Sequence, residues 1–385
     1  MTSNRWPLVT LTALFWLYCP TELLAAADEY HLAGRVAEAQ SVPTHSDYQL
    51  KIGPRIDYSL RDLYFVNGMV GYAVGTGLRR GQAPIVYKTT DGGERWLPRL
   101  LGMGCHPRVI AFADENRGLV TFHDTTGCPE ACEHRTAALV TADAGATWRR
   151  VDYPELQGHI IDVVFDHAGN AFGLLFQLDI DYGTSNPPRP TITLLRSEDS
   201  GQSWQRIGDL PPQAETPPTL ALRHHQGQLY LTWADASILV FDTEGHLLET
   251  LETGYARLQD LVVVSESTLL ATGTDGATNA LIRSIDGGRT WNVLLDEYAR
   301  IAFARSRDDF GVIVSRGTAS GPNRHSRDVI AHTRDGGSTW RESDPILSLS
   351  MSMKRRVRQP GIERDLLLLN DRIVEIEHTD PRPQP

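Results

Sequence analysis

The chain has 385 residues, 41% of them hydrophobic, and carries 37 Lys and Arg against 48 Asp and Glu, a formal charge of −11. That length exceeds an average domain but suits a single repeat-built unit, and the acidic balance argues against nucleic acid or an anionic membrane surface as main partner. No Gly-rich phosphate loop, nucleophile elbow or His-Glu-x-x-His run occurs, so the local marks of nucleotide, acyl-transfer and metalloprotease chemistry are missing.

Taken in chain order, the first element is a targeting segment. Arg5 precedes the apolar run Leu8 to Tyr18, and Leu24-Ala25-Ala26-Ala27 follows. A charged start, a short apolar stretch and small residues at its end make a secretory signal over residues 1–27, too short to span a bilayer as a stable helix. Cleavage is expected after Ala27, with loss of Cys19. Tyr18 stands where a lipoprotein signal would place a small residue. The rest is expected to be an exported protein, periplasmic or secreted, monomeric and without a transmembrane segment once the signal is removed.

Residues 28–385 read as one domain organised by a repeated phrase. It first appears as Thr89-Thr90-Asp91-Gly92-Gly93-Glu94-Arg95-Trp96. Four more copies follow, built on Asp143 with Trp148, Asp199 with Trp204, Asp286 with Trp291, and Asp335 with Trp340. A tight turn needs a residue that tolerates positive φ, the Gly, and an acceptor for the turn's free amides, the Asp carboxylate. A Ser or Thr two residues earlier can bond within the same turn, and the Trp starts the next strand as a large apolar body. Each copy thus reads as strand, self-capped turn, strand. These residues resemble the Asp-box, or BNR repeat, found in sialidases, some xyloglucan-degrading glycosidases, sortilin-type receptors and photosystem II assembly factors. The resemblance spans roughly residues 60 to 343 and implies an all-β β-propeller with four-stranded antiparallel blades.

Successive box aspartates stand roughly 50 residues apart, except that Asp199 to Asp286 is nearly twice that interval. Inside the gap, Ile238 to Leu247 offers a strand, Asp242, Gly245 and a second apolar strand without the Trp. It is a degenerate sixth copy. Six units result, at approximately 60–100, 107–152, 159–208, 218–252, 257–297 and 299–343. Beyond them Ile346–Met351, Leu366–Leu369 and Ile373–Ile376 suggest three more strands within 346–378, and Tyr48–Ile52 is placed to supply a fourth that removes both free edges. Seven four-stranded blades are therefore expected, with six and a C-terminal extension as the alternative.

The box carboxylates are assigned to holding turns, which directs the search for function to the opposite face of the propeller. There the loops between second and third strands carry the extra residues. They bring Arg79 and Arg80 in the first unit, Asp179, Asp181 and Tyr182 in the third, and Arg316, Arg324, His325 and Arg327 in the sixth. This sector is the expected binding surface for a protein or glycan partner; tolerated surface insertion is the competing account. Cys105, Cys128 and Cys132 remain after signal removal. Export favours a disulfide between Cys105 and either of the others, or between Cys128 and Cys132. His106 and His134 nearby keep a zinc site open as a second reading. No cofactor or metal is otherwise expected.

Resemblance to sialidases implies a Tyr and Glu pair, an Asp and three Arg around the substrate carboxylate, the first Arg within Arg-Ile-Pro. Here the match is Arg55-Ile56-Asp57, with Asp in place of Pro. Arg55 is the sole catalytic candidate, and a sialidase-like glycoside hydrolase is the alternative function. The second-strand run Gly71-Tyr72-Ala73-Val74-Gly75 ahead of Asp91-Gly92-Gly93 brings the units closer in style to photosystem II assembly factors. Those relatives bind protein chains, which makes non-catalytic binding, assembly or inhibition the first expectation.

Overall fold

The structure is a computed structural model. It describes residues 40–378 apart from 46–47, 53–57, 78–84, 102–104, 125–134, 180–188, 211–219, 234, 276–277, 318–325, 343–354, 358–364 and 369–372. Every regular element within it is a strand, as the alternation of apolar runs with Gly-rich turns dictates. Six sheets have four antiparallel strands each, joined in chain order. Their innermost strands are Tyr58–Phe65, Cys105–Phe112, His159–Phe165, Leu222–His225, Arg257–Val263 and Ala299–Ala304. Neighbouring innermost strands lie against one another around a ring.

The expectation of seven four-stranded blades is corrected by this topology: the protein has six. Between the sixth and the first lies a five-stranded sheet instead, in the order Gln40–His45, Tyr48–Ile52, Ile373–His378, Asp365–Leu368, Arg355–Val357. Tyr48–Ile52 pairs antiparallel with Ile373–His378. A hairpin then adds Gln40–His45 outside it, a strand for which the sequence carried no turn signal strong enough to read. The segment Ile346–Met351 lies outside the described residues; the innermost strand of this sheet is Arg355–Val357.

Blades cohere through apolar layers pressed between neighbours. Tyr72, Val74, Ile110, Phe112, Leu139 and Trp148 belong to the layer between the first two blades. Leu367, Val374 and Ile376 pack against Phe303 and Ile330 of the sixth, while Leu368 and Ile373 pack against Leu60 and Phe65 of the first. The five-stranded sheet thus buries apolar side chains on both flanks. At roughly 25 cal/mol for each Å² of apolar surface removed from water, such layers are the main source of stability.

Polar groups on the innermost strands add a second kind of joint. Asp62, 1% exposed, accepts Leu63 N–H at one oxygen and Ile110 N–H of the next blade at the other, both at 2.9 Å. Asp162 repeats this with Val163 at 3.0 Å and Leu222 at 3.0 Å. Each carboxylate follows a β-bulge, where the register shifts between Leu60 and Asp62 and between Ile160 and Asp162. A bulge opens the ladder locally, and the carboxylate supplies acceptors there.

Candidate functional site

The repeated turns carry the most conspicuous acidic groups of the fold. In the first copy Thr89 Oγ1 donates to Asp91 Oδ1 at 2.8 Å and accepts Gly93 N–H at 2.8 Å. Asp91 Oδ1 also accepts Arg95 N–H at 2.9 Å, and Arg95 Nε donates to Oδ2 at 2.9 Å. The other copies fill the second oxygen with a hydroxyl four residues on: Thr147 at 2.5 Å, and Ser203, Thr290 and Thr339 at 2.6 Å each. That role for the later hydroxyl was not anticipated from the spacing. Asp242 makes the corresponding bonds to the amide and ring of His246 at 2.9 Å, so the unit without a Trp has the same carboxylate arrangement.

Hydrogen bonds to the charged form hold these carboxyls ionised. Arg95 N–H is the largest influence on Asp91, and the Thr290 and Thr339 hydroxyls are the largest on Asp286 and Asp335; all three carboxyls are lowered to about 2. A carboxylate already bonded at both oxygens and this acidic is a poor general acid or base near neutrality. The turns are also anchored to neighbouring loops. Gly92 N donates to Met69 O, Ala144 N to Asn116 O, Gly287 N to Ser267 O and Gly336 N to Asp308 O, at 2.8 to 3.0 Å. Those acceptors lie in the turns between first and second strands, so both sets of turns share one face. Tyr72 Oη and Lys88 Nζ of the first blade then reach Ala144 O of the second, at 2.7 and 2.6 Å.

Most of the loop residues expected on the opposite face, Arg79, Arg80, Asp181, Tyr182, Arg324 and His325, lie outside the described residues, as do Arg55, Cys128 and Cys132. Four others stand at strand positions on that side. Arg316 is directly across from Arg327, Asp179 from Arg189, and Cys105 from Asp124. Among the described residues no three His, Cys, Asp or Glu form a group able to hold a metal ion, and no helix is long and apolar enough to cross a membrane.

Two arginines that sequence reasoning passed over stand out on the innermost strands. Arg61 occupies the bulge between Leu60 and Asp62, and Arg108 the bulge between Pro107 and Val109. Each is the one exposed residue in the described part of a strand that is otherwise buried or half-buried. The reason is geometric: adjacent blades cover both faces of an innermost strand, and a bulge re-aims one side chain out of that cover. Both are the fourth residue of their strand, counted from the end opposite the repeated turns. Desolvation first, and the Arg61 charge second, push the Arg108 guanidinium below its ordinary value. The only sequence signal for the pair was a charge interrupting an apolar strand, Leu60-Arg61-Asp62 and Pro107-Arg108-Val109.

No family model matches the chain, and no curated protein matches its sequence. Solved structures do. The structure described as YCF48 bound to D1 peptide superposes with a TM-score of 0.57 at 16% identity, covering 89% of this chain and 100% of that one. A chain of the mitotic checkpoint complex gives 0.55 at 12%, covering 97% and 100%. Oligogalacturonate lyase from Vibrio parahaemolyticus gives 0.53 at 8%, covering 89% and 98%. At such identities the likeness shows the fold: the chain is a β-propeller.

Proposed function

We propose that this protein is an exported Asp-box propeller that binds a protein or glycan partner on the face opposite the boxes. It acts in assembly, chaperoning or inhibition and does not turn the partner over. The observation that carries this reading is the saturation of the box face. Six turn carboxylates, Asp91, Asp143, Asp199, Asp242, Asp286 and Asp335, are bonded at both oxygens within their own hairpins. Rigid hairpins on one side present the other side's loops, the usual place for recognition on such scaffolds. That a protein of similar fold is described as bound to a peptide supports the fold's capacity for this role. Export rests on residues 1–27 and is tested by the N-terminus of the secreted or periplasmic form, expected at Asp28.

The binding face is tested by placing a photo-crosslinking amino acid at Arg80, Tyr182 or Arg324, and separately at Glu94, Gln202 or Ser338 on the box face. Defined crosslinked species are expected from the first set alone. Equal crosslinking from the box-face positions, or hydrolysis of a fluorogenic sialoside that Arg55→Ala abolishes, would overturn the assignment.

A further inference from the structure

Many basic groups of the fold are held by a partner. Arg95, Arg117, Arg150 and Arg196 each lie against a carboxylate, and Arg149 donates to Gln202. Neither Arg61 nor Arg108 has a hydrogen-bond or ion-pair partner among the described residues. They are instead at the same position on adjacent innermost strands, which lie in contact and are tied by Ile110 N–H donating to Asp62 Oδ2 at 2.9 Å. The remaining register-shift positions on innermost strands are uncharged, Ile161, Gln259 and Ala302. At these bulge positions positive charge is thus found on the first two innermost strands, in a chain of net charge −11. Two like charges side by side on adjacent strands cost free energy unless an anion joins them. Paired guanidinium forks are matched in shape and charge by a carboxylate.

We propose that Arg61 and Arg108 form a clamp for a single carboxylate of a polypeptide partner, entered from the face opposite the repeated turns. This inference rests on the binding role above and names its chemistry. A polyuronate chain carries a carboxylate on every sugar and would be matched by a row of cations along a groove. Here the bulge-borne cations are one pair at one depth, which fits one carboxylate presented end-on. An acidic side chain and a chain terminus both supply such a group.

The test uses fluorescein-labelled peptides of about six residues, measured by anisotropy against the purified protein. One peptide has a central Asp and an amidated end, a second has no acidic side chain and a free C-terminus, and a third has neither. Binding of the first or second, and not the third, is expected; which one binds identifies the source of the carboxylate. R61Q and R108Q should each weaken that binding about tenfold or more, the loss of one charge-assisted hydrogen bond, while R206Q on an outer strand leaves it unchanged. Phenylglyoxal should modify Arg61 and Arg108 in the free protein and be slowed at both by the binding peptide. Equal binding of all three peptides, unchanged binding by R61Q and R108Q, or binding of a digalacturonate but no peptide would each overturn the clamp. If no acidic peptide binds the unaltered protein while its opposite-face crosslinks form and persist in the R61Q/R108Q double variant, the clamp falls and the binding face stands. If those crosslinks are absent from the unaltered protein, the binding face itself falls.

Discussion

Replacing Asp62 by Ala removes the carboxylate that joins the first and second innermost strands. Bonds from Leu63 N–H and Ile110 N–H, at 2.9 Å each, reach it in a site where Asp62 is 1% exposed. Ala brings no acceptor and the site is buried, so two amides lose their partner. At about 1–3 kcal/mol for each buried unsatisfied donor, the expected loss is about 2–6 kcal/mol, a large share of the roughly 5–15 kcal/mol typical of a folded domain. Asp62→Asn keeps one acceptor oxygen and should lose about half as much. Urea unfolding followed by Trp fluorescence gives the total. Amide exchange at Ile110 locates it, since protection there should fall before that of Leu119 in the next strand. Asp152→Ala is the control, because its ion pair with Arg150 at 2.8 Å is 56% exposed at the carboxylate and contributes less than about 1 kcal/mol. If Asp62→Ala unfolds within about 0.5 kcal/mol of the unaltered protein, the carboxylate is not the joint described here.

The repeated turns yield further expectations. Ala144 and Ser200 adopt φ of 57° and 60° where other copies have Gly92, Gly287 and Gly336, so Ala144→Gly should raise stability by about 0.5–1 kcal/mol in the same urea assay. Gly158 has φ of 113°, and a Cβ there would meet the backbone oxygen of Phe176; Gly158→Ala should therefore cost about 3 kcal/mol or more by thermal or urea unfolding. The carboxyls of Asp91, Asp286 and Asp335 fall from 3.8 to about 2 on folding. Their contribution is fully present above pH 4 and is lost as pH falls through about 2. Melting curves taken between those limits should show a fall that Asp91→Asn makes shallower.

The turns were the legible part of this chain because their chemistry is local. Asp, Gly and a hydroxyl within five residues satisfy one another whatever surrounds them, so Asp91 or Asp335 declares its role in the sequence, and even Asp242 does so without its Trp. The bulges were not legible. Arg61 and Arg108 are distinguished by which side of a strand they leave from, and that depends on a one-residue register shift set by neighbouring strands. A charge within an apolar run looks the same whether it marks a loop or a bulge. The count of four-stranded blades went wrong for a related reason: the hairpin of Gln40–His45 with Tyr48–Ile52 lies far from the box repeats and has no box of its own. Only pairing across the whole chain shows that the last sheet has five strands.

That last sheet also decides the order in which the molecule can be completed. Tyr48 meets His378, so the two partners are separated by nearly the entire chain. Closing so long a loop costs little more entropy than closing one half its length, since the penalty grows only with the logarithm, but contacts of such separation form late. A chain emerging from its N-terminus can therefore fold its six blades in succession while the first strands wait, unpaired at their edge. The ring becomes a ring only when the final strand arrives. Until then the exposed edge of Tyr48–Ile52 is open to strands of other chains, and its protection is a measure of whether synthesis has passed Ile373–His378.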